Sequence, residues 1–132
     1  MALQVELVSP ERILFSGEAS MVVCRTAGGE IAFMTGHAPF LGALGIAVVR
    51  VHQEGGDVLK AAVHEGFVEV KDNRVIILSD VAELPDQIDA ERARRARDEA
   101  DRAVKEASDD ERAEAERRLR RAEVRLELAE SR

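Results

Sequence analysis

Aromatic residues are scarce in this 132-residue chain, which has no Trp, no Tyr and only four Phe. Its interior must therefore be built from Val, Ile, Leu and Ala. The single cysteine, Cys24, cannot form an internal disulfide, so a reducing compartment fits best. Cys24 lies in the apolar run 21–24, where we expect a small buried hydrophobe rather than a reactive thiol.

Long apolar runs are also missing. No stretch approaches the roughly 18–20 residues needed to cross a bilayer, so we expect no direct membrane insertion. Glu6 interrupts the N-terminal region, which lacks the basic flank and apolar core of a secretory signal. The net charge of −7 disfavours nucleic acid as a partner, because phosphate contacts need a basic surface.

Charge divides the chain into two parts. Residues 1–84 contain 6 Lys and Arg against 11 Asp and Glu, whereas residues 85–132 contain 13 against 15. Thus 28 of the last 48 residues are charged, against 17 of the first 84. This change in composition predicts two domains, 1–84 and 85–132.

The first 84 residues predict a β-sandwich of about ten short antiparallel strands. Leu3, Val5 and Leu7 alternate with polar residues, as in a half-buried strand. Further strands are expected at 12–16, 20–26, 30–34, 46–52, 57–63, 66–71 and 74–79. Tight turns are expected between them at 28–29, 55–56 and 72–73.

The last 48 residues predict an antiparallel two-helix hairpin. Pro85-Asp86 is typical of a helix start, with Asp86 as the N-cap, and Ser108 with Glu111 forms the capping-box pattern of a second helix. The first helix has an alanine seam, and the second adds two leucines: Ala93, Ala96, Ala100, Ala103 and Ala107; Leu119, Ala122, Leu126 and Ala129. Such small side chains bury little area, so the hairpin should detach at low cost.

No catalytic or metal-binding constellation stands out. His37, His52 and His64 are widely spaced and lack metal-ligand spacing with each other or with Cys24. No segment matches a P-loop or a dinucleotide fingerprint. A small enzyme using His37 or His64 as a base would lack an evident nucleophile or orienting acid, so we expect a protein that is not itself an enzyme.

Five segments form an ordered set: 5–10, 14–17, Gly36-His37-Ala38-Pro39, 64–70 and 75–80. Together they resemble the epsilon subunits of bacterial F-type ATP synthases. The family more often has two glycines where this chain has Glu65-Gly66. Each motif alone is weak, but their order and spacing hold over the whole chain.

The resemblance implies a non-catalytic rotor subunit at the cytoplasmic face of the bacterial cell membrane, bound peripherally through partners. It implies contacts with the gamma subunit and the c-ring, the latter through Glu30 and the loop formed by Gly36, His37, Ala38 and Pro39. It also implies a mobile hairpin that inhibits ATP hydrolysis by reaching the catalytic beta subunits. The local basic charge of the second helix suits that role, although a solvated face of paired charges is the alternative.

The resemblance further implies ATP as a regulatory ligand, with no cofactor required. Ile88, Asp89, Arg92 and Ala93 match the segment that binds ATP in some bacterial members, and Glu83 matches another acidic position of that pocket. Arg121 and Arg125, four residues apart, are candidates for the phosphate tail. A helix-capping role for Asp89 is the competing interpretation.

One alternative for the whole chain is a free-standing β-sandwich binding module whose coiled-coil tail dimerises. A stable dimer would favour Leu or Ile at the seam, which here is mostly alanine.

Overall fold

The computed structural model describes residues 2–131 as two compact units, which divide after Leu84. The first unit contains seven strands: β1 Leu3–Val8, β2 Ile13–Thr26, β3 Gly29–Met34, β4 Phe40–Gln53, β5 Val58–Lys71, β6 Arg74–Leu78 and β7 Ala82–Glu83. The second contains a 3₁₀ turn at Pro85–Gln87, then α1 Ala90–Glu106 and α2 Asp109–Glu130.

The sheet of the first unit closes on itself. Its strands follow the order β1-β6-β5-β4-β2-β3, and β1 also pairs with β2, which completes a five-stranded ring. β3 pairs with β2 outside the ring, and β7 pairs with β5. All pairs are antiparallel except β1 with β6, which is parallel.

The predicted β-rich unit followed by two helices is present, and six of the seven strand pairs described are antiparallel, as expected. The structure differs from the prediction in having fewer and partly longer strands, and one parallel pair. β2, β4 and β5 each span 14 residues, so the segments 12–16 and 20–26 belong to one strand, as do 57–63 and 66–71. Glycines inside these strands, such as Gly17 and Gly66, lie within continuous strands rather than at chain reversals. The three predicted turns are confirmed, and Asp72 and Asn73 both adopt positive φ, as a tight hairpin turn requires.

The core of the first unit consists almost entirely of aliphatic side chains. Leu3, Val5 and Leu7 are fully buried, which confirms the predicted alternation along β1. Phe33 is the largest fully buried residue. The cluster of buried residues lies between Leu3 and Ile77 in sequence, so this unit has a core of its own.

In the second unit, α1 and α2 pack against each other across a two-residue connection, Ala107-Ser108. Asp109 to Glu111 form the first turn of α2. The predicted seam is buried or half-buried along its length, with Ala93, Ala100 and Ala122 among the buried residues. Val124 and Leu128 are also buried, outside the predicted stripe.

The first helix begins later than predicted. Asp86 lies in the 3₁₀ turn, and Asp89 is the N-cap of α1. The reason is geometric: Pro85 starts a tighter turn that ends at Ile88, whose N–H bonds the Pro85 carbonyl at 3.1 Å. The predicted capping pair of α2 is confirmed, since the Glu111 carboxylate accepts hydrogen bonds from the Ser108 backbone N–H and hydroxyl.

Candidate functional sites

The start of α1 brings four of the expected nucleotide-site residues into little more than one helical turn. The Asp89 carboxylate accepts a hydrogen bond from the Arg92 backbone N–H at 3.1 Å. Ile88 and Ala93 are buried, whereas the side chains of Asp89 and Arg92 are exposed. Asp89 thus has the capping role, and its carboxylate retains lone pairs for further donors.

The two arginines expected from α2 lie one turn apart on the helix surface. Arg121 donates to the Glu114 carboxylate at 2.9 Å, and this hydrogen bond is the main reason that the pKa of Glu114 lies below its ordinary value. Arg125 is half-buried. Because the two helices run back on each other from residues 107 and 108, Arg92 lies at the level of α2 that these arginines flank.

Several basic residues of α2 form ion pairs with acidic side chains. Arg117 lies 3.5 Å from Glu114, and Arg118 lies 3.6 Å from Glu99 of α1. Exposed pairs of this kind contribute little to stability. Their effect here is to neutralise part of the basic face that the sequence indicated.

Glu83 lies in the first unit, on β7. Its carboxylate oxygen is 2.8 Å from Nε2 of His64, whose side chain is only 3% exposed. His64 is therefore a hydrogen-bonded residue of the sandwich. This contact was not expected from the sequence, because the two residues are 19 positions apart.

The residues expected at the c-ring lie at opposite ends of β3. Glu30 is next to the β2–β3 turn and 3.9 Å from Arg25. The loop 36–39 follows the other end, where Gly36 N–H donates to the Asn73 side chain at 2.7 Å. The His37 ring packs edge-on against Phe33, with centroids 4.9 Å apart. The loop is thus ordered by its own contacts, while Ala38 and Pro39 remain exposed.

A row of apolar side chains crosses five strands on the outside of the sandwich; we call it the apolar row. Ile13, Val8, Leu78, Phe67 and Ala43 lie directly opposite one another in turn on β2, β1, β6, β5 and β4. Ile13, Leu78 and Phe67 are 62%, 52% and 58% exposed. The sequence did not reveal this row, because it emerges only once the strand register is known.

A cleft of about 620 Å³ opens beside the apolar row. Val8, Ala43, Phe67 and Leu78 contribute to its wall, which is mostly apolar, and the exposed acidic residues Glu65 and Asp80 also line it. A surface of this composition fits a partner that presents apolar side chains beside basic ones.

Cys24 is buried, and burial raises the pKa of its thiol to about 12. The expected burial is thus confirmed, and a raised pKa favours the protonated, less nucleophilic thiol. In residues 2–131, no group of three or more His, Cys, Asp or Glu residues is arranged to hold a metal ion. Over the same range, no helix is both long and apolar enough to cross a membrane.

Comparison with known proteins first gives the class. Residues 2–85 match the family described as "ATP synthase, Delta/Epsilon chain, beta-sandwich domain". The matched range covers all seven strands, including the closed ring and the strands that carry the apolar row. The class is therefore the β-sandwich subunits of ATP synthases.

Full-length relatives narrow the assignment. The ATP synthase epsilon chain of Streptomyces avermitilis is 45% identical over 130 residues, which cover 98% of this chain and 97% of the relative. That of Thermobifida fusca is 47% identical over 131 residues, covering 96% and 91%. The chain belongs to the ATP synthase epsilon chain family. Members of this family are subunits of an enzyme complex, the ATP synthase.

Solved structures support the same fold. A chain from the Euglena gracilis mitochondrial ATP synthase, described as OSCP/F1/c-ring, superposes with a TM-score of 0.84 at 25% identity, covering 97% of this chain and 81% of that one. A chain from the Tetrahymena thermophila mitochondrial ATP synthase, described as central stalk/c-ring, gives 0.63 at 15% identity and supports the fold alone.

Proposed function

We propose that this chain is a non-catalytic rotor subunit of a proton-translocating F-type ATP synthase, joining the gamma subunit to the c-ring. It makes and breaks no bonds itself. It is bound peripherally at the cytoplasmic face of the bacterial cell membrane, through protein partners. Family membership and the F1/c-ring origin of a structural neighbour support this proposal.

The apolar row is the observation that carries the assembly role. Three of its large side chains are each more than half exposed, and they adjoin a cleft with an apolar wall. A contiguous apolar surface of this kind is typical of a protein–protein contact. We assign it to the gamma subunit, whereas Glu30 and the loop 36–39 face the c-ring.

The helical unit acts as a two-position inhibitor of ATP hydrolysis. In one state it is compact and rotation is free, while in the other it extends towards the catalytic beta subunits and blocks rotation. The alanine seam supports this role, because side chains of this size make the two helices inexpensive to separate. Such a switch needs only a modest difference in free energy between its states.

ATP favours the compact state by binding it more tightly. Asp89 accepts hydrogen bonds from the base or ribose, while Arg92, Arg121 and Arg125 pair with phosphate. Two features support this site: the residues cluster at the start of α1, and the two α2 arginines flank the level of Arg92.

Binding of purified gamma subunit to the full chain tests the assembly role. Phe67→Ser should weaken this binding by about thirtyfold, or ~2 kcal/mol, because it removes a central apolar anchor. Val58→Ser is the matched control: Val58 is an exposed apolar residue on the same strand but outside the row. Equal affinities for the two variants, with folding verified by circular dichroism, would remove the apolar row from the gamma contact.

A further inference from the structure

The cleft beside the apolar row combines an apolar wall with negative charge. Phe67 and Leu78, two exposed members of the row, contribute to the wall, and Glu65 and Asp80 line the same cleft. Both acidic residues are exposed. The described residues that line the cleft include no lysine or arginine. A side chain that enters it therefore meets apolar surface and an excess of negative charge.

The two acidic residues lie on segments that are tied together. The buried Ser79 hydroxyl lies 2.6 and 2.9 Å from the carbonyl oxygens of Glu65 and Val81, and thus joins β5 to the segment that contains Asp80. The His64 N–H donates to the same Val81 carbonyl at 3.0 Å. The main chain that carries both carboxylates is therefore held in place before a partner arrives, which lowers the entropy lost on binding.

Glu65 adopts a main-chain conformation that favours glycine. Its φ is +67°, and the other non-glycine residues with positive φ among residues 2–131, Asp72 and Asn73, form a tight turn that requires such values. Glu65 lies inside β5 instead. A side chain in this conformation costs free energy that glycine would avoid. Because strain of this kind is concentrated at binding sites, it points to a use for the carboxylate at this position.

We propose that the cleft seats one basic side chain of the gamma subunit; this inference rests on the proposed contact between gamma and the apolar row. Arginine and lysine both have a long aliphatic stem and a cationic head. The stem packs on the apolar wall, while the head lies beside the Phe67 ring and is attracted to Glu65 and Asp80. This attraction depends on the net charge of the cleft, so contacts that these carboxylates make within the chain leave it in place.

The test is to measure the association and dissociation rates of purified gamma subunit with the full chain and its variants. Glu65→Gln and Asp80→Asn keep the shape of each side chain and remove its charge. We expect each to weaken binding by about tenfold, as for a lost charge-assisted hydrogen bond, mainly through faster dissociation. Asp80→Lys should weaken it further, because it places a like charge in the cleft. Glu69→Gln is the matched control, since Glu69 is an exposed residue of the same strand that does not line the cleft.

Two comparisons separate a seated side chain from a general effect of charge or of folding. Steering by the acidic surface alone would slow association and leave dissociation unchanged. Glu65→Gly relieves the main-chain strain, so the free chain should be no less stable to urea while its binding to gamma is weakened. A folding defect would instead lower both quantities.

Wild-type affinity in both Glu65→Gln and Asp80→Asn, with Phe67→Ser still weakened, would overturn the inference and leave the gamma contact of the apolar row intact. A change confined to the association rate would overturn it as well, because the acidic residues would then only steer the partner. Equal affinities for Phe67→Ser and Val58→Ser would instead refute the proposed gamma contact itself.

Discussion

Asp89 has two candidate roles, as the N-cap of α1 and as a ligand of the nucleotide. Its carboxylate caps α1 through the Arg92 N–H, and the same carboxylate is the proposed acceptor for base or ribose. The two roles depend on different properties. A cap needs only an acceptor oxygen, which Asn also supplies, whereas recognition of a sugar or amino donor benefits from the negative charge.

We therefore expect Asp89→Asn to weaken MgATP binding by about tenfold while leaving the melting of the helices unchanged. Asp89→Ala should do both, with a stability loss of about 1 kcal/mol from the missing cap. Ser108→Ala, at the start of α2, is the control that should affect stability alone. Calorimetry and circular dichroism on the same samples measure both quantities, and unchanged affinity in Asp89→Asn would leave Asp89 as a cap only.

At the scale of residues, the sequence indicated which residue types cap the helices, but it did not indicate the position of each cap or contact. Asp86 and Asp89 are both reasonable caps by composition, and only the 3₁₀ turn that Pro85 starts decides between them. The partner of Glu83 was not predictable at all. Its contact with His64 depends on a two-residue strand, which is too short to leave a periodic pattern.

At the scale of elements, the close approach of β5 to the end of β6 depends on one backbone position. Gly66 adopts φ of +149°, and a Cβ there would lie 2.1 Å from the Leu78 carbonyl oxygen and 3.0 Å from Ser79 Cα. Both obstacles are main-chain atoms of the neighbouring strand and its continuation. They cannot move aside without breaking the pairing of β5 with β6.

Gly66→Ala should therefore destabilise the sandwich by more than about 2 kcal/mol, since strain at such a position and a main-chain clash combine. Gly45→Ala on β4 is the matched control, because a Cβ there meets nothing within 4 Å. Urea unfolding of the two variants measures the difference. Similar midpoints would show that β5 is able to shift away from β6.

The start of α2 carries a dependence on pH. The Ser108 backbone N–H, and then its hydroxyl, hold the pKa of Glu111 below its ordinary value of 4.5. A lowered pKa means that the ionised form stabilises the fold, and this contribution is complete above pH 4.5. It is lost as the pH falls further, through the pKa of the folded state.

Thermal melting of the helices should accordingly lose stability between pH 5 and pH 3, and Glu111→Gln should show a smaller loss. Because Glu111 is exposed, the difference should be modest. Glu116→Gln, an exposed glutamate of the same helix outside the cap, serves as the control. A wild-type curve parallel to that of Glu111→Gln would mean that the capping pair does not contribute in solution.

The strands show why element boundaries were harder to predict than element types. A glycine within an apolar run predicts a break, and in a hairpin such as 55–56 it is one. In this closed sheet, 14-residue strands continue through the same residue type, as at Gly17 and Gly66. Local sequence does not distinguish these outcomes, because the partner strands decide between them.

At the scale of the whole molecule, the sandwich has a core of its own and the helical unit carries the proposed regulation. Deleting residues 86–132 should leave a folded sandwich that still binds the gamma subunit and the c-ring. The complex should also hydrolyse ATP faster. If the extended hairpin holds half of the complexes inactive, the increase is about twofold.

The measurements are a cooperative β-type melt of residues 1–85 and the ATPase rate of reconstituted complexes. An unfolded fragment would contradict the independent core. Unchanged hydrolysis, under conditions that favour inhibition, would limit the helices to a structural role.

The prediction of two parts rests on charge and alanine content, which change at one point in the chain. The apolar row could not be predicted in this way. Val8 and Leu78 are neighbours only because β1 pairs with β6, and these strands lie far apart in the sequence. Composition is a local property, whereas a binding surface of this kind is assembled from distant segments. Register information was needed to find it.

The parallel pairing of β1 with β6 also determines when the protein can fold during its synthesis. The ring cannot close until Leu78, the last residue of β6, has been translated, so the N-terminal strand waits for most of the sandwich to follow. Translation of the 48 residues from Pro85 to Arg132 then takes roughly 2–10 s at typical bacterial rates. The sandwich can therefore begin to close while the helical unit, to which we assign the inhibition of ATP hydrolysis, is still being synthesised.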